Sequence, residues 1–295
     1  MLYLKYYSTR INDMAKNTVF NTRQTMIRND FEAFHYLDSY VKEVSLHHHD
    51  FYEVYCFLNG SANYTIDGRY YRLLPGDILL ISPSDLHMLS IPDNKPYERL
   101  VLWISPTYLK QISSKKTDLS TPFKKASALE NHMLRLQTAA KEKVISLMTE
   151  ICNLSSSDCF GNDILAKSKI CELLVLLSNE DKFEPSDILD PIEKSIISYI
   201  NANLTDPQLS IKQIADAHFI SESRLSHVFK EFTGSSVYKY IIKKRLVLSK
   251  EYIINGDPIT SIYSKCGFND YVGFFRTFKN EYGITPKEYY RESKK

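Results

Sequence analysis

The stretch Val228-Phe229-Lys230-Glu231-Phe232-Thr233-Gly234 returns 49 residues later as Thr277-Phe278-Lys279-Asn280-Glu281-Tyr282-Gly283. The pairs Phe229/Phe278, Lys230/Lys279, Gly234/Gly283 and Tyr240/Tyr289 all keep that offset, and a register held over four positions marks a duplication. Each copy ends the second of two short amphipathic segments separated by a turn, which is the pattern of a helix-turn-helix unit. The two units span residues 210–231 and 258–281. In the first, Ser221 is placed to cap a helix from Glu222 to Phe232 by accepting from the amides that follow it. Leu225, Val228, Phe229 and Phe232 form the apolar stripe of that helix, so Ser223, Arg224, Ser226, His227 and Lys230 face outward. In the second, Asp270 takes the capping place, Phe274 and Phe278 turn inward, and Tyr271, Val272, Phe275, Arg276 and Lys279 remain on the open face.

Between the units, Val237 to Ile254 predicts one helix, ~27 Å long at 1.5 Å per residue, stopped by Asn255-Gly256-Asp257-Pro258. Two helices that enter the major groove from one side of B-DNA must lie about one turn, ~34 Å, apart. A linker of this length meets that need, and the expected partner is double-stranded DNA. The charge distribution agrees: Glu193 to Lys295 holds 16 Lys/Arg against 11 Asp/Glu, whereas residues 1–192 hold 21 against 24.

At 295 residues and 43% hydrophobic content the chain exceeds one core, and two or three domains are expected. No run approaches the ~20 apolar residues of a membrane span. Met1 to Phe20 lacks the apolar block of a secretory signal. A cytoplasmic location with no membrane partner is therefore expected. Cys56, Cys152, Cys159, Cys171 and Cys266 show neither a C-x-x-C pair nor zinc-finger spacing, so they read as reduced packing residues.

From Phe31 to Ile104 the chain is aromatic and β-branched, with Asn59-Gly60, Asp67-Gly68 and Pro75-Gly76-Asp77 separating short runs. This predicts a small antiparallel barrel or jelly roll, with Trp103 on its last strand. Alternation puts Glu53, Tyr55 and Phe57 on one face, and His47 and His49 on another. From Lys124 to Glu184 apolar residues recur at helical spacing, as in Val144, Leu147, Met148 and Ile151, and in Ile170, Leu173, Leu174 and Leu177. The expected fold is α+β and multidomain: an arm over 1–24, a β domain over 25–113, a helical linker and dimerisation segment over 114–184, an interdomain linker over 185–192, and an all-α domain over 193–295.

The β region resembles the cupin superfamily. His47-x-His49, Glu53 and Gly60 match its first motif, and Gly76-Asp77, Pro83 and His87 match its second. The leading glycine of the first motif is replaced by Val41, and a glycine expected after the proline by Asp85. In metal-binding cupins the corresponding residues ligate, so the resemblance implies His47, His49, Glu53 and His87 as metal candidates, a set suited to Fe, Mn, Ni or Zn. The degraded second motif favours a small polar effector over a metal, bound by His47, His49, Glu53, Tyr55, His87 and Trp103, and no cofactor is expected.

Residues 193–291 resemble the AraC/XylS family. The match runs through Ile214-Ala215, Ser221, Leu225, Phe229-Lys230, Gly234, Arg245-Leu246, Gly267-Phe268, Asp270, Phe274, Arg276, Phe278-Lys279, Gly283, Thr285-Pro286, Tyr289 and Arg291. Ser249 and Tyr263 stand where the family usually has alanine. The resemblance implies a dimeric transcription regulator, activator among its roles, whose cupin domain responds to a sugar or related metabolite and which can contact RNA polymerase. It also implies base reading by Ser223, Ser226, His227, Tyr271, Val272, Phe275 and Arg276. Phosphate contacts are expected from Ser221, Arg224, Lys230 and Lys279. The alternatives are a metal-dependent cupin enzyme fused to a DNA-binding domain, and an effector-independent regulator whose cupin only dimerises.

Overall fold

The computed structural model describes residues 25–38, 43–83, 85–93, 95–181, 183 and 191–293. The arm over 1–24 and the linker up to residue 190 lie outside them. The chain divides into two compact units, Met1–Asp187 and Ile188–Lys295.

The first unit is built from two antiparallel sheets. One has the order β1 (Phe31–Asp38), β8 (Tyr97–Ile104), β3 (Tyr52–Asn59), β6 (Ile78–Ile81) and β9 (Met133–Leu134). The other has the order β2 (Glu43–His47), β7 (His87–Ser90), β4 (Asn63–Ile66) and β5 (Arg69–Arg72). The Asp67-Gly68 turn closes a two-residue hairpin, pairing Ile66 with Arg69. Tyr55, Phe57, Leu79, Ile81 and Val101 of the first sheet meet Val44, Tyr64, Ile66, Tyr71 and Leu89 of the second, forming an aromatic-rich interior.

The opposite face of the first sheet is equally buried. Val54, Cys56, Ile78, Leu80, Leu100 and Leu102 share a core with α2 (Thr121–Ala128), α3 (Thr138–Ser155) and α4 (Asn162–Ser178), which follow a short α1 (Pro106–Ile112). Phe123, Val144, Leu147, Ile151, Ile170 and Leu174 supply the helical side of that core. The segment 114–184 thus belongs to the same compact unit as the sheets, with the apolar stripes of its helices against the chain's own first sheet. β9 also follows Trp103, so β8 is not the last strand.

The second unit is helical: α5 (Pro191–Ala202), α6 (Ile211–Ala217), α7 (Glu222–Thr233), α8 (Val237–Ile254), α9 (Ile259–Lys265), α10 (Tyr271–Tyr282) and α11 (Pro286–Glu292). Phe229, Phe274 and Phe278 are fully buried. Ser221 caps α7 by accepting from the Arg224 amide, and Asp270 caps α10 by accepting from the Gly273 amide. Left-handed Gly234 and Gly283 close the two helices at equivalent places. No helix among the described residues is long and apolar enough to cross a membrane.

Candidate functional site

Two sets of side chains stand out, one in each unit. In the first, the six residues expected to bind an effector come from four strands and one loop. Glu53 and Tyr55 alternate along β3 onto its interior face, and Trp103 lies opposite Glu53 in the β3–β8 register. His87 opens β7 and pairs with His47 at the end of β2. His49 lies beyond the end of β2 rather than on it, which corrects the expectation that it shares a strand face with His47. The three rings nevertheless converge, with His47 and His49 centroids 4.1 and 4.8 Å from that of His87.

The hydrogen bonds fix the chemistry of this cluster. The Trp103 indole donates to Glu53 Oε2 at 3.0 Å, and His49 Nε2 donates to the same oxygen at 3.1 Å. In the neutral ring that leaves His49 Nδ1 as a lone pair, and the atom is buried and without a hydrogen-bond partner. His87 Nδ1 donates to the Asp85 carbonyl at 2.9 Å, so its Nε2 is an acceptor. Burial, then the neighbouring His47 and His49, push the His87 pKa well below its usual value and hold the ring neutral. The cluster therefore offers lone pairs to whatever enters it. Phe51 stacks on His49 at 3.8 Å and meets Trp103 at 4.6 Å, adding flat apolar surface. Tyr55 is buried with its hydroxyl paired to that of Tyr97, so that hydroxyl is already engaged within the core.

Of the implied metal ligands, His49, Glu53 and His87 bring donor atoms within 4.8 Å of one another. Their imidazole and carboxylate chemistry and the orphan Nδ1 of His49 fit a transition-metal ion. His47 stands outside this set of three, its Nδ1 donating to the Ser45 carbonyl at 2.9 Å. Glu53 already accepts from Trp103 and His49, so an ion held through His49 Nε2 would replace the second of those bonds, whereas one held through Nδ1 would leave it in place.

In the second unit, Ser223, Arg224, Ser226, His227 and Lys230 all lie on the exposed face of α7. His227 Nε2 is 3.9 Å from the Glu231 carboxylate, one turn along. Ser221 spends an acceptor pair on its cap and keeps its hydroxyl proton for a donor role. On α10, Val272, Arg276 and Lys279 are exposed. Tyr271 and Phe275 are half-buried, with centroids 5.9 Å apart, so each ring is only partly available to a partner. The sequence reading did not single out Phe51 and Tyr64 in the first unit or Phe219 in the second. Alternation along β4 could have placed Tyr64 inward.

Comparison with known proteins completes the picture. Residues 33–174 match the model of an AraC-like ligand binding domain, and residues 214–292 match that of a helix-turn-helix domain. The HTH-type transcriptional activator RhaS of Escherichia fergusonii is 26% identical over 243 residues, spanning 82% of this chain and 86% of that protein. Among solved structures, the C-terminal domain of AraT, a response regulator from Geobacillus stearothermophilus, is 25% identical with a TM-score of 0.35, covering 36% of this chain and 88% of that one. Unsaturated fatty acid-bound ToxT from Vibrio cholerae is 18% identical with a TM-score of 0.37, covering 90% and 97%.

Proposed function

The chain belongs to the AraC family of DNA-binding transcription regulators, and from that premise we propose that the histidine cluster of its first unit binds a small hydroxylated effector, a sugar or related metabolite. The observation that carries this reading is the acceptor array. His49 Nδ1 is a buried lone pair with no partner, and the neutral His87 presents a second acceptor a few ångströms away. A ligand rich in hydroxyl donors satisfies both, and the aromatic faces of Phe51 and Trp103 suit the apolar face of a sugar ring. An anionic ligand would meet the Glu53 carboxylate.

In the second unit, α7 and α10 are proposed to enter successive major-groove segments. Ser223, Ser226 and His227 read bases from the first helix, and Tyr271, Val272, Phe275 and Arg276 from the second. Arg224, Lys230, Lys279 and the Ser221 hydroxyl hold phosphates. Arg276 is the side chain with a bidentate match, to guanine O6 and N7. The protein acts as a homodimer, with effector binding changing promoter occupancy or polymerase contact.

Thermal-shift screening of the intact chain against sugars and related polyols tests the effector reading. A binding compound raises the melting temperature, by linkage, for the wild type and not for Glu53→Gln or His49→Ala. No shift with any hydroxylated compound, together with a stoichiometric metal ion in the purified protein, favours the metal reading of His49, Glu53 and His87.

A further inference from the structure

In the turn of the first helix-turn-helix unit, Phe219 is 96% exposed and has a φ of 55°. Neither property is one that packing would select. The left-handed region disfavours any residue with a Cβ, and a bulky aromatic far more than asparagine or glycine. The turn enforces it: the Phe219 amide donates to the Asp216 carbonyl at 3.2 Å and the Ile220 amide to the Ala215 carbonyl at 3.1 Å.

The second unit shows how this turn is built when packing alone decides. Its left-handed position is Gly267, and the residue after it, Phe268, is buried and packs on Phe274 at 5.3 Å. In the first unit the half-buried Ile220 takes the place of Phe268, and Phe219 stands where the second unit has no side chain at all. A strained, fully exposed aromatic that its own fold does not use has its use outside the fold.

Its position says where. Phe219 lies two residues ahead of Ser221, the cap of α7, at the end of the helix whose first residues meet base edges. The outward residues that follow are short or polar, and none is an apolar group. In the major groove the 5-methyl of thymine is the apolar feature of the base edges, and phenylalanine is among the side chains that contact it. We infer that Phe219 is a specificity residue of the first unit, its ring packing on a thymine methyl at the rim of the groove segment that α7 enters. The inference rests on the proposal that α7 reads DNA.

The test uses sites selected by the full chain from a random duplex pool. Each thymine in the segment assigned to the first unit is replaced by uracil, which removes the methyl and nothing else. One such change should weaken wild-type binding about fourfold, the worth of a single buried methyl. Phe219→Gly and Phe219→Asn, which both accept the left-handed backbone and should melt no lower than wild type, should bind the intact site more weakly and ignore the uracil. Binding of the variants equal to wild type overturns the inference, and lost transcription alongside it would assign Phe219 to polymerase. Weakening that is equal on all sequences and blind to uracil also overturns it, pointing to the sugar–phosphate wall. If the chain selects no sequence, the proposal beneath falls. Selection that needs Arg276 but not Phe219 removes this inference alone.

Discussion

Gly267→Ala should damage the second unit far more than the loss of a glycine ordinarily does. Gly267 has a φ of 82°, where an alanine pays ~1–2 kcal/mol for its Cβ. That Cβ would also lie 2.7 Å from the Leu204 carbonyl oxygen, 2.9 Å from Arg245 Nε and 3.0 Å from the Thr205 carbonyl carbon. These atoms cannot give way cheaply. The largely buried Arg245 donates through Nε to Leu204 O at 2.9 Å and through Nη2 to Asp206 O at 2.7 Å, tying α8 to the segment that leads into α6. Breaking one charge-assisted bond of this kind costs about 1.5–3 kcal/mol, so the whole should reach roughly 2.5–5 kcal/mol when the two costs add. Gly283→Ala is the control: its φ is 74° but no atom lies within 4 Å of the added Cβ, which leaves the backbone cost of ~1–2 kcal/mol alone. Trp103 is the single tryptophan and reports the first unit, whereas circular dichroism follows the helices of both. In urea, Gly267→Ala should move a circular-dichroism transition down by about 1 M or more, given slopes of ~1–3 kcal/mol per M, and leave the Trp103 fluorescence transition in place. A shift no larger than that of Gly283→Ala, or one seen through Trp103, refutes the account.

Arg276→Ala should weaken binding by about 1–3 kcal/mol on the selected site and relax preference at one base pair, read by competition with single-base variants. A loss equal on all sequences would make Arg276 a phosphate contact. Lys279→Ala should leave the base preference intact and reduce the slope of log affinity against log salt by about one counterion. The first unit should lose stability as pH falls below the unfolded-state value of His87. The folded ring is held neutral while the unfolded chain takes up a proton, so its contribution is complete above that value and drains away beneath it, with a slope of at most ~1.4 kcal/mol per pH unit. His87→Gln should flatten this part of the profile in Trp103-monitored unfolding, and an unchanged slope would mean that other groups carry it.

The duplication was legible because its signal is local. A helix of about 12 residues with a cap, an apolar stripe and a closing glycine writes all three into consecutive positions, and α7 and α10 keep the 49-residue offset from cap to close. The offset fails ahead of the caps, where Ala217 and Lys265, the last residues of α6 and α9, are 48 apart because the second turn is one residue longer. A register read from the strongest positions slides past such a change, and with it past the exchange of Gly267 for Phe219. The packing of 121–178 on the first sheet had a signal of a different kind. Ile78-Leu79-Leu80-Ile81 is apolar at every position, and Leu100 to Ile104 is nearly so, which a strand with one wet face cannot be. Those runs require a second layer, and the apolar stripes of α3 and α4 are the surface available to supply it. The histidine cluster lies between these extremes. Its residue types were readable from spacing, but its acceptor character was not, because that depends on the Ser45, Glu53 and Asp85 oxygens that orient each ring. The sequence names which imidazoles meet; only the fold decides which nitrogen each of them leaves unengaged, and with it what the cluster asks of a ligand.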